Sequence, residues 1–295
     1  MIACYTIEHA VEFVYSAPVR ASVMTLYLRP VQDRRQVVRG FAIETDPSGP
    51  VFEFEGPFHN RGHFFDRPGT HRRLSIVGRS TVEVGPIPEM PLQVGEEAWA
   101  RLGAAASAPE LGLMLQPSRF VRSSPLLADF IESCGLERGD DPLATATTLR
   151  SRLHESFDYI PGTTAVDSPI ERILDSREGV CQDYAHVMAS ILRGWGIPTR
   201  YVSGYLGPDS GNGGGGNGGS VTSGESHAWV ESWFPGLGWV GFDPTNDTQC
   251  DVRHVRVAVG RDYADVPPTR GVFRGSAESM LRTRVTIERG EESCP

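Results

Sequence analysis

Residues 179–198 read GVCQDYAHVMASILRGWGIP, and the fold turns on where a helix begins within them. Tyr184, Ala185, Met188, Ile191, Leu192 and Trp195 recur at helical spacing and define a buried stripe. Gly196 offers a left-handed stop and Pro198 cannot continue a helix. The start therefore falls at Cys181. Aligned peptide dipoles and free N–H groups at a helix start favour an anion. A thiol placed there is expected to have a lowered pKa, and the thiolate is the nucleophile. The same N–H groups suit a developing oxyanion. Most free cysteines are small buried hydrophobes, so the neighbours decide.

Downstream, SHAWVESWF (226–234) alternates as a strand. It puts His227, Trp229, Glu231 and Trp233 on one face and Ala228, Val230 and Phe234 on the other. Pro235-Gly236-Leu237-Gly238 makes a turn, and GWVGFDPT (238–245) carries the chain back to Asp243. A hairpin sets His227 beside Asp243. A carboxylate there fixes the imidazole tautomer and leaves the other ring nitrogen to take the thiol proton. A lone Asp243-Pro244 would read as a turn; thiol, base and acid in this order read as a triad.

Before residue 85, period-two alternation predicts strands. Tyr5, Ile7, Val11, Phe13 and Tyr15 share a face, as do Met24, Leu26 and Leu28. Further short runs hold Phe41 and Ile43, Phe52 and Phe54, Leu74 and Ile76, and Val82 and Val84. Such runs, punctuated by Gly, Pro and Asp, suggest a small sandwich or barrel. Gly85-Pro86-Ile87-Pro88 reads as a linker, followed by an Ala-rich stretch to Ala108 and helical patterning from Pro125 to Leu153. Residues 209–224, DSGNGGGGNGGSVTSG, predict a flexible surface loop.

At 295 residues, two domains are a fair prior. Composition is that of a globular protein, with 39% hydrophobic and 22% charged residues. The net charge of −9 leaves no footprint for nucleic acid or for an anionic membrane surface. No stretch is long and apolar enough for a membrane span, and the start lacks the form of a signal peptide. Five scattered cysteines (Cys4, Cys134, Cys181, Cys250, Cys294) without a CxxC pair argue against a disulfide framework and a zinc site. They fit a reducing, cytoplasmic location.

The strings GVCQDYAHVMASILRGWGIPTRYVSGYL (179–206) and ESHAWVESWFPGLGWVGFDPTN (225–246) resemble the core of bacterial transglutaminase-like proteins. HRRLSIVGRSTVEV (71–84) is similar to the extra N-terminal domain that these proteins have. FDYIPGTTAVDSP (157–169) and HVRVAVGRDYADVPPTRGVF (254–273) fit as well. The resemblance implies an α+β fold: an N-terminal antiparallel β-sandwich, then a papain-related core whose cysteine helix packs on an antiparallel sheet. It matches Cys181, His227 and Asp243 to the family nucleophile, histidine and aspartate. It also points to Tyr159 as an oxyanion donor, because the family places an aromatic or polar donor upstream of its cysteine. The glycine-rich insertion before Glu225 departs from the family pattern.

The boundaries expected are 1–90 for the β domain, 91–150 for linker and helices, and 151–295 for the core. Gln182 and Trp229 join Tyr159 as oxyanion or substrate candidates, Trp229 as a wall beside His227. Trp233 and Trp239 read as packing residues, and Asp183 as a cap or buried hydrogen-bonder. His186 lies about 140° round the helix from Cys181 and reads as structural. His59, His63 and His71 lack compact ligand spacing, so no metal is expected, nor any cofactor. The expected function is thiol acyl transfer on a peptide or protein substrate through a thioester, as a peptidase or amidase. Two alternatives stand beside amine cross-linking: an acetyltransferase of the arylamine N-acetyltransferase sort, which lacks an evident phosphate cradle here, and a non-catalytic protein-binding module.

Overall fold

The computed structural model describes residues 2–95, 97–208, 220–223 (backbone only) and 226–290. The short N-terminal runs anticipated above fuse into two 24-residue strands, β1 (Ala3–Leu26) and, after β2 (Gln36–Asp46) and β3 (Phe52–Glu55), β4 (Arg61–Val84). They pair antiparallel along nearly their whole length, with the register slipping between Val14 and Ala21. Pro18 and Pro68 sit at that slip, where a missing N–H interrupts the ladder least. There the sheet bends back on itself. Val11, Leu74 and Ile76 from one arm meet Met24, Leu26 and Phe65 from the other in one buried cluster. The sandwich is thus made by folding a continuous sheet.

Helices α1 (Ala98–Ala105), α2 (Pro109–Leu113), α3 (Pro125–Ser133) and α4 (Pro142–Ser156) follow. Ser124 and Asp141 cap α3 and α4 through side-chain oxygens, each followed by proline at the first helical position. Strand β5 (Asp158–Tyr159) and, beyond α5 (Ile170–Ser176), β6 (Glu178–Gly179) form a short parallel pair. That pair leads into α6 (Cys181–Gly194). Helix α6 ends as expected, with Gly196 at φ +89°.

Every residue of α6 from Cys181 to Arg193 is buried, not a stripe alone. The helix lies between α4 and α5 on one side and the second sheet on the other. Its polar groups are accordingly provided for: Arg193 donates to the carbonyls of Thr199 and Gln116, and Ser190 to that of His186.

The second sheet draws on β7 (Thr199–Leu206), β9 (His227–Phe234), β10 (Gly238–Asp243), β11 (Thr248–Gln249) and β12 (His254–Gly260), in the order β11-β10-β9-β7-β12. The expected flexible loop at 209–224 lies outside the described residues except at β8 (Ser220–Ser223), a strand on the edge of the first sheet. Strands β13 (Thr269–Phe273) and β14 (Ser279–Arg289), grouped with the core by sequence, both pair with β1. Among the described residues no helix is long and apolar enough to cross a membrane. Cys134, Cys181 and Cys250 are free, whereas Cys4 is disulfide-bonded, which the cysteine pattern did not anticipate.

Strand β12 ends its sheet and would leave backbone groups unpaired beneath the N-terminal layer. Two buried amide side chains satisfy them. Gln36 accepts from Arg256 N at 2.9 Å and donates to Arg256 O at 2.7 Å. Asn60 does the same for Val259, at 2.9 and 2.7 Å. Each amide replaces one rung of a missing neighbour strand. Gln36→Ala or Asn60→Ala should therefore lower unfolding stability by about 1–3 kcal/mol, the cost of stranding a buried donor and acceptor. Urea denaturation of each variant measures this; unchanged midpoints would show that water replaces the amide.

Candidate active site

The start of α6 is held by its own third residue. Asp183 reaches back to accept from the Val180 N–H at 2.9 Å and also accepts from the Thr164 hydroxyl at 2.6 Å. The second bond ties the 160–169 loop to the helix tip. Burial pushes the Asp183 pKa up, opposed by these two hydrogen bonds and by the charge of Arg172. Asp183 is thus the cap that the sequence suggested. Helix geometry leaves the Cys181 N–H without an intrahelical acceptor.

Strand β9 starts at His227, directly opposite Gly204 of β7. The face bearing Ala228 and Val230 packs into the same core as α6. The alternate face, with Trp229, is covered from the N-terminal side by Phe58 and from within the core domain by Val202, Val259 and Cys250. At the end of β10, Asp243 has no exposure to water. His227 Nε2 meets Asp243 Oδ2 at 2.7 Å. The imidazole is also hydrogen-bonded to Cys181; with Nε2 engaged by the carboxylate, Nδ1 is the nitrogen left for the sulfur. The three residues singled out from the sequence therefore form one hydrogen-bonded series.

Five donors surround Asp243. Oδ1 accepts from the N–H groups of Thr245 and Asn246, at 3.0 and 3.3 Å. Oδ2 accepts from the Asn246 side chain at 2.7 Å, from His227, and from His254 Nε2 at 3.2 Å. His254 is buried, and its Nδ1 lies 3.0 Å from the Asp251 N–H and 3.2 Å from Asp251 Oδ1. Burial alone would raise the Asp243 pKa, but the charges and hydrogen bonds of His227 and His254 hold it far below the usual carboxylate range. Burial alone would lower that of His227, yet the Asp243 charge, its hydrogen bond and that of Cys181 raise it to about 9. His254 moves the same way: the hydrogen bonds and charges of Asp243 and Asp251 outweigh burial. The ligand atoms of His227, Asp243 and His254 lie within 4.8 Å of one another, a set that a metal ion could bridge. Here the same atoms satisfy each other as hydrogen-bond partners.

A pocket of about 160 Å³ opens onto Cys181 and His227. Gln182 lines it and donates to the Val166 carbonyl at 3.1 Å, so this candidate holds the pocket loop in place. The other two candidates are elsewhere. Tyr159, in β5, is half exposed and not part of the lining. Trp229 is fully buried behind His227, its ring 6.0 Å away, and is likewise not part of the lining. Tyr201 of β7 does line the pocket, and burial and the nearby Cys181 push its pKa well up. His186 stacks between Phe120 and Tyr201 and accepts from the Tyr263 N–H at 3.2 Å, which fits a structural ring. Sequence reading did not single out Tyr201, Asn246 or His254. Only for Asn246 was there a local signal, its place in the turn that follows Asp243.

Fold and site together define an α+β protein whose helix-borne cysteine meets a histidine–aspartate pair carried by an antiparallel sheet. The model of the transglutaminase-like superfamily matches residues 135–244, and that of the bacterial transglutaminase-like N-terminal region matches residues 5–83. An uncharacterized protein of Mycobacterium leprae is 33% identical over 283 residues, 96% of this chain and 98% of that protein. A protein-glutamine gamma-glutamyltransferase of Pseudomonas aeruginosa is 41% identical over 107 residues, 35% of this chain but 16% of that one. A crystal structure described as a candidate cysteine protease of Cytophaga hutchinsonii shares the fold with TM-score 0.72 at 18% identity, covering 97% of this chain and 90% of that one. The chain belongs to the transglutaminase-like superfamily.

The raised His227 pKa fixes a pH dependence of stability. Its contribution is fully present below the unfolded value of 6.5 and is lost as pH rises through about 9. His254 adds in the same direction. Denaturation midpoints should fall across that window in the native protein, and the fall should shrink in Asp243→Asn.

Proposed function

We propose that the protein is a thiol acyl-transfer enzyme that cleaves peptide or carboxamide bonds, with Cys181 as nucleophile, His227 as base and Asp243 as orienting acid. The hydrogen-bonded series Cys181–His227–Asp243, opening on a pocket, is the observation that supports this most. With its pKa raised to about 9, His227 takes the Cys181 thiol proton at Nδ1 before the reaction begins, and the thiolate attacks the substrate carbonyl carbon. The carbonyl π pair moves to oxygen, and that oxyanion faces the Cys181 N–H at the helix start. Tyr201, whose hydroxyl keeps its proton because burial raises its pKa, replaces Tyr159 as the side-chain donor. His227 then protonates the leaving nitrogen as the C–N bond breaks, leaving a thioester on Cys181. Water attacks this thioester while His227 takes its proton. The carboxylic acid leaves, and the thiolate is restored beside the protonated His227.

Asp243 keeps the imidazole oriented and offsets its charge at each stage. His254 and Asn246 in turn hold Asp243, so the carboxylate has no freedom to rotate. If a primary amine takes the place of water, the same thioester yields an amide cross-link. The named activity of the Pseudomonas aeruginosa relative is of this second kind, but the shared segment is a small part of that protein, and hydrolysis is the reading preferred.

Mass spectrometry of glutamine-containing peptides, incubated with and without a primary amine, separates the outcomes. Cleaved peptide or deamidated glutamine supports the proposal, whereas incorporation of the amine would move it to cross-linking. Cys181→Ala should abolish turnover and covalent labelling with the fold intact. Asp243→Asn should keep some labelling but lose turnover by on the order of 10³- to 10⁴-fold, through the wrong imidazole tautomer. Undiminished turnover in Asp243→Asn would remove that residue from the triad.

A further inference from the structure

The pocket at Cys181 is not built by the core domain alone. Its far wall belongs to the N-terminal sheet: His9 and Val11 from β1, Leu281 and Thr283 from β14, and Thr269 from β13. Among the described residues, no Asp, Glu, Lys or Arg lines it. Apart from the Cys181–His227 pair, such a lining gives no compensation for a desolvated carboxylate or ammonium, and so favours a neutral substrate group.

Among the described residues of the lining, His9 is the one imidazole besides His227, and it lies in that wall. Its Nδ1 lies 3.1 Å from the Tyr205 hydroxyl, whose own proton goes to the Leu28 carbonyl at 3.3 Å. With that proton on the Leu28 carbonyl, the Tyr205 oxygen accepts and Nδ1 holds the proton of the neutral ring. That leaves Nε2 with a bare lone pair. Among the described residues Nε2 has no partner, yet it is not among the polar atoms sealed without one. His9 itself lines the pocket. Burial lowers the His9 pKa to about 4, so the ring stays neutral through the ordinary working range.

Building on the thiol acyl-transfer reading, we propose that His9 is a substrate-binding residue, its Nε2 accepting a hydrogen bond from an amide N–H of the substrate beside Cys181. The ligand class is an uncharged group bearing an amide N–H, a primary carboxamide or a peptide N–H, and the N-terminal sheet is part of the specificity site.

Two small alkylating probes test this on the full chain. In both, the Cys181 sulfur displaces chloride from a methylene carbon. Chloroacetamide offers amide N–H groups; its N,N-dimethyl derivative offers none. Labelling of Cys181 is read by peptide mass spectrometry relative to the free, half-buried Cys134, which corrects for intrinsic reactivity. The native protein should favour chloroacetamide at Cys181. His9→Phe should reduce that preference by about three- to tenfold, the worth of one neutral hydrogen bond. His9→Gln, which restores an acceptor, should keep much of it. Tyr205→Phe keeps the ring packing but frees the tautomer, and should move the preference as His9→Phe does. That variant decides the matter if His9→Phe fails to fold by circular dichroism. A preference unchanged in Tyr205→Phe and in any folded His9→Phe overturns the inference. Cys181 reacting no faster than Cys134 with either probe in the native protein would instead sink the thiol-enzyme reading itself.

Discussion

A carboxylate shut away from water has to be surrounded by donors, and at Asp243 that requirement organises the second sheet. Two donors come from the turn that follows β10, one from the start of β9, one from β12, and one from the Asn246 side chain. Strands that are not neighbours in the sheet thus converge on one charged group. Leaving that charge unmatched would cost several kcal/mol, far more than a lost surface pair. The same arrangement raises the His227 pKa against the pull of burial. Holding the sheet end together and readying the imidazole are therefore one electrostatic fact. The cost of burying Asp243 is met by the groups that the proposed chemistry needs in place.

His254 extends this logic by one residue. A neutral His254 with Nδ1 accepting from the Asp251 N–H must donate through Nε2 to Asp243; a protonated one donates to both carboxylates. Either way the contact to Asp243 is a donation. Asp243 thus cannot relax toward any other partner when His227 gives up its proton. Trp229 packs edge-on against His254 at 5.2 Å, which limits its ring motion. Read this way, Trp229 affects the site by confining the histidine that confines the aspartate, and not as a wall of the pocket.

Local pattern made the central pieces legible. The helical stripe after Cys181, the alternation from His227 and the glycine turn before Asp243 each depend on neighbours within one element, and the structure has them where expected. Non-local pairing hid the rest. Prolines at 18 and 68 read as punctuation between short strands, whereas a register slip lets β1 and β4 run through them. Tyr201 and His254 reach the site only because β7 lies between β9 and β12, and no periodicity reports that order. His9 did leave a trace. It shares the odd-numbered face with Tyr5, Ile7 and Val11, which placed an imidazole on an apolar surface. What it faces depends on a strand nearly two hundred residues away.

The chain's return path bears on what the N-terminal sheet is for. An appended binding module would be joined by one linker and keep its own strands. Here β14 leaves the core and pairs with β1 from Tyr5 to Tyr15, while β13 pairs with the other arm of β1 at Ser22–Leu26. Sheet and core also share a single continuous buried cluster, which includes Tyr5, Ile7 and Ile287 of the sheet and Tyr184 and Met188 of α6. Gln36 and Asn60 complete the edge of β12 from the same side. Separating the layers would open a shared core and two amide bridges at once, so the sheet is tied to the body that carries the cysteine helix. A pocket wall built on such a sheet is held rigidly against Cys181, which is the condition under which one bare nitrogen on it can discriminate between substrates.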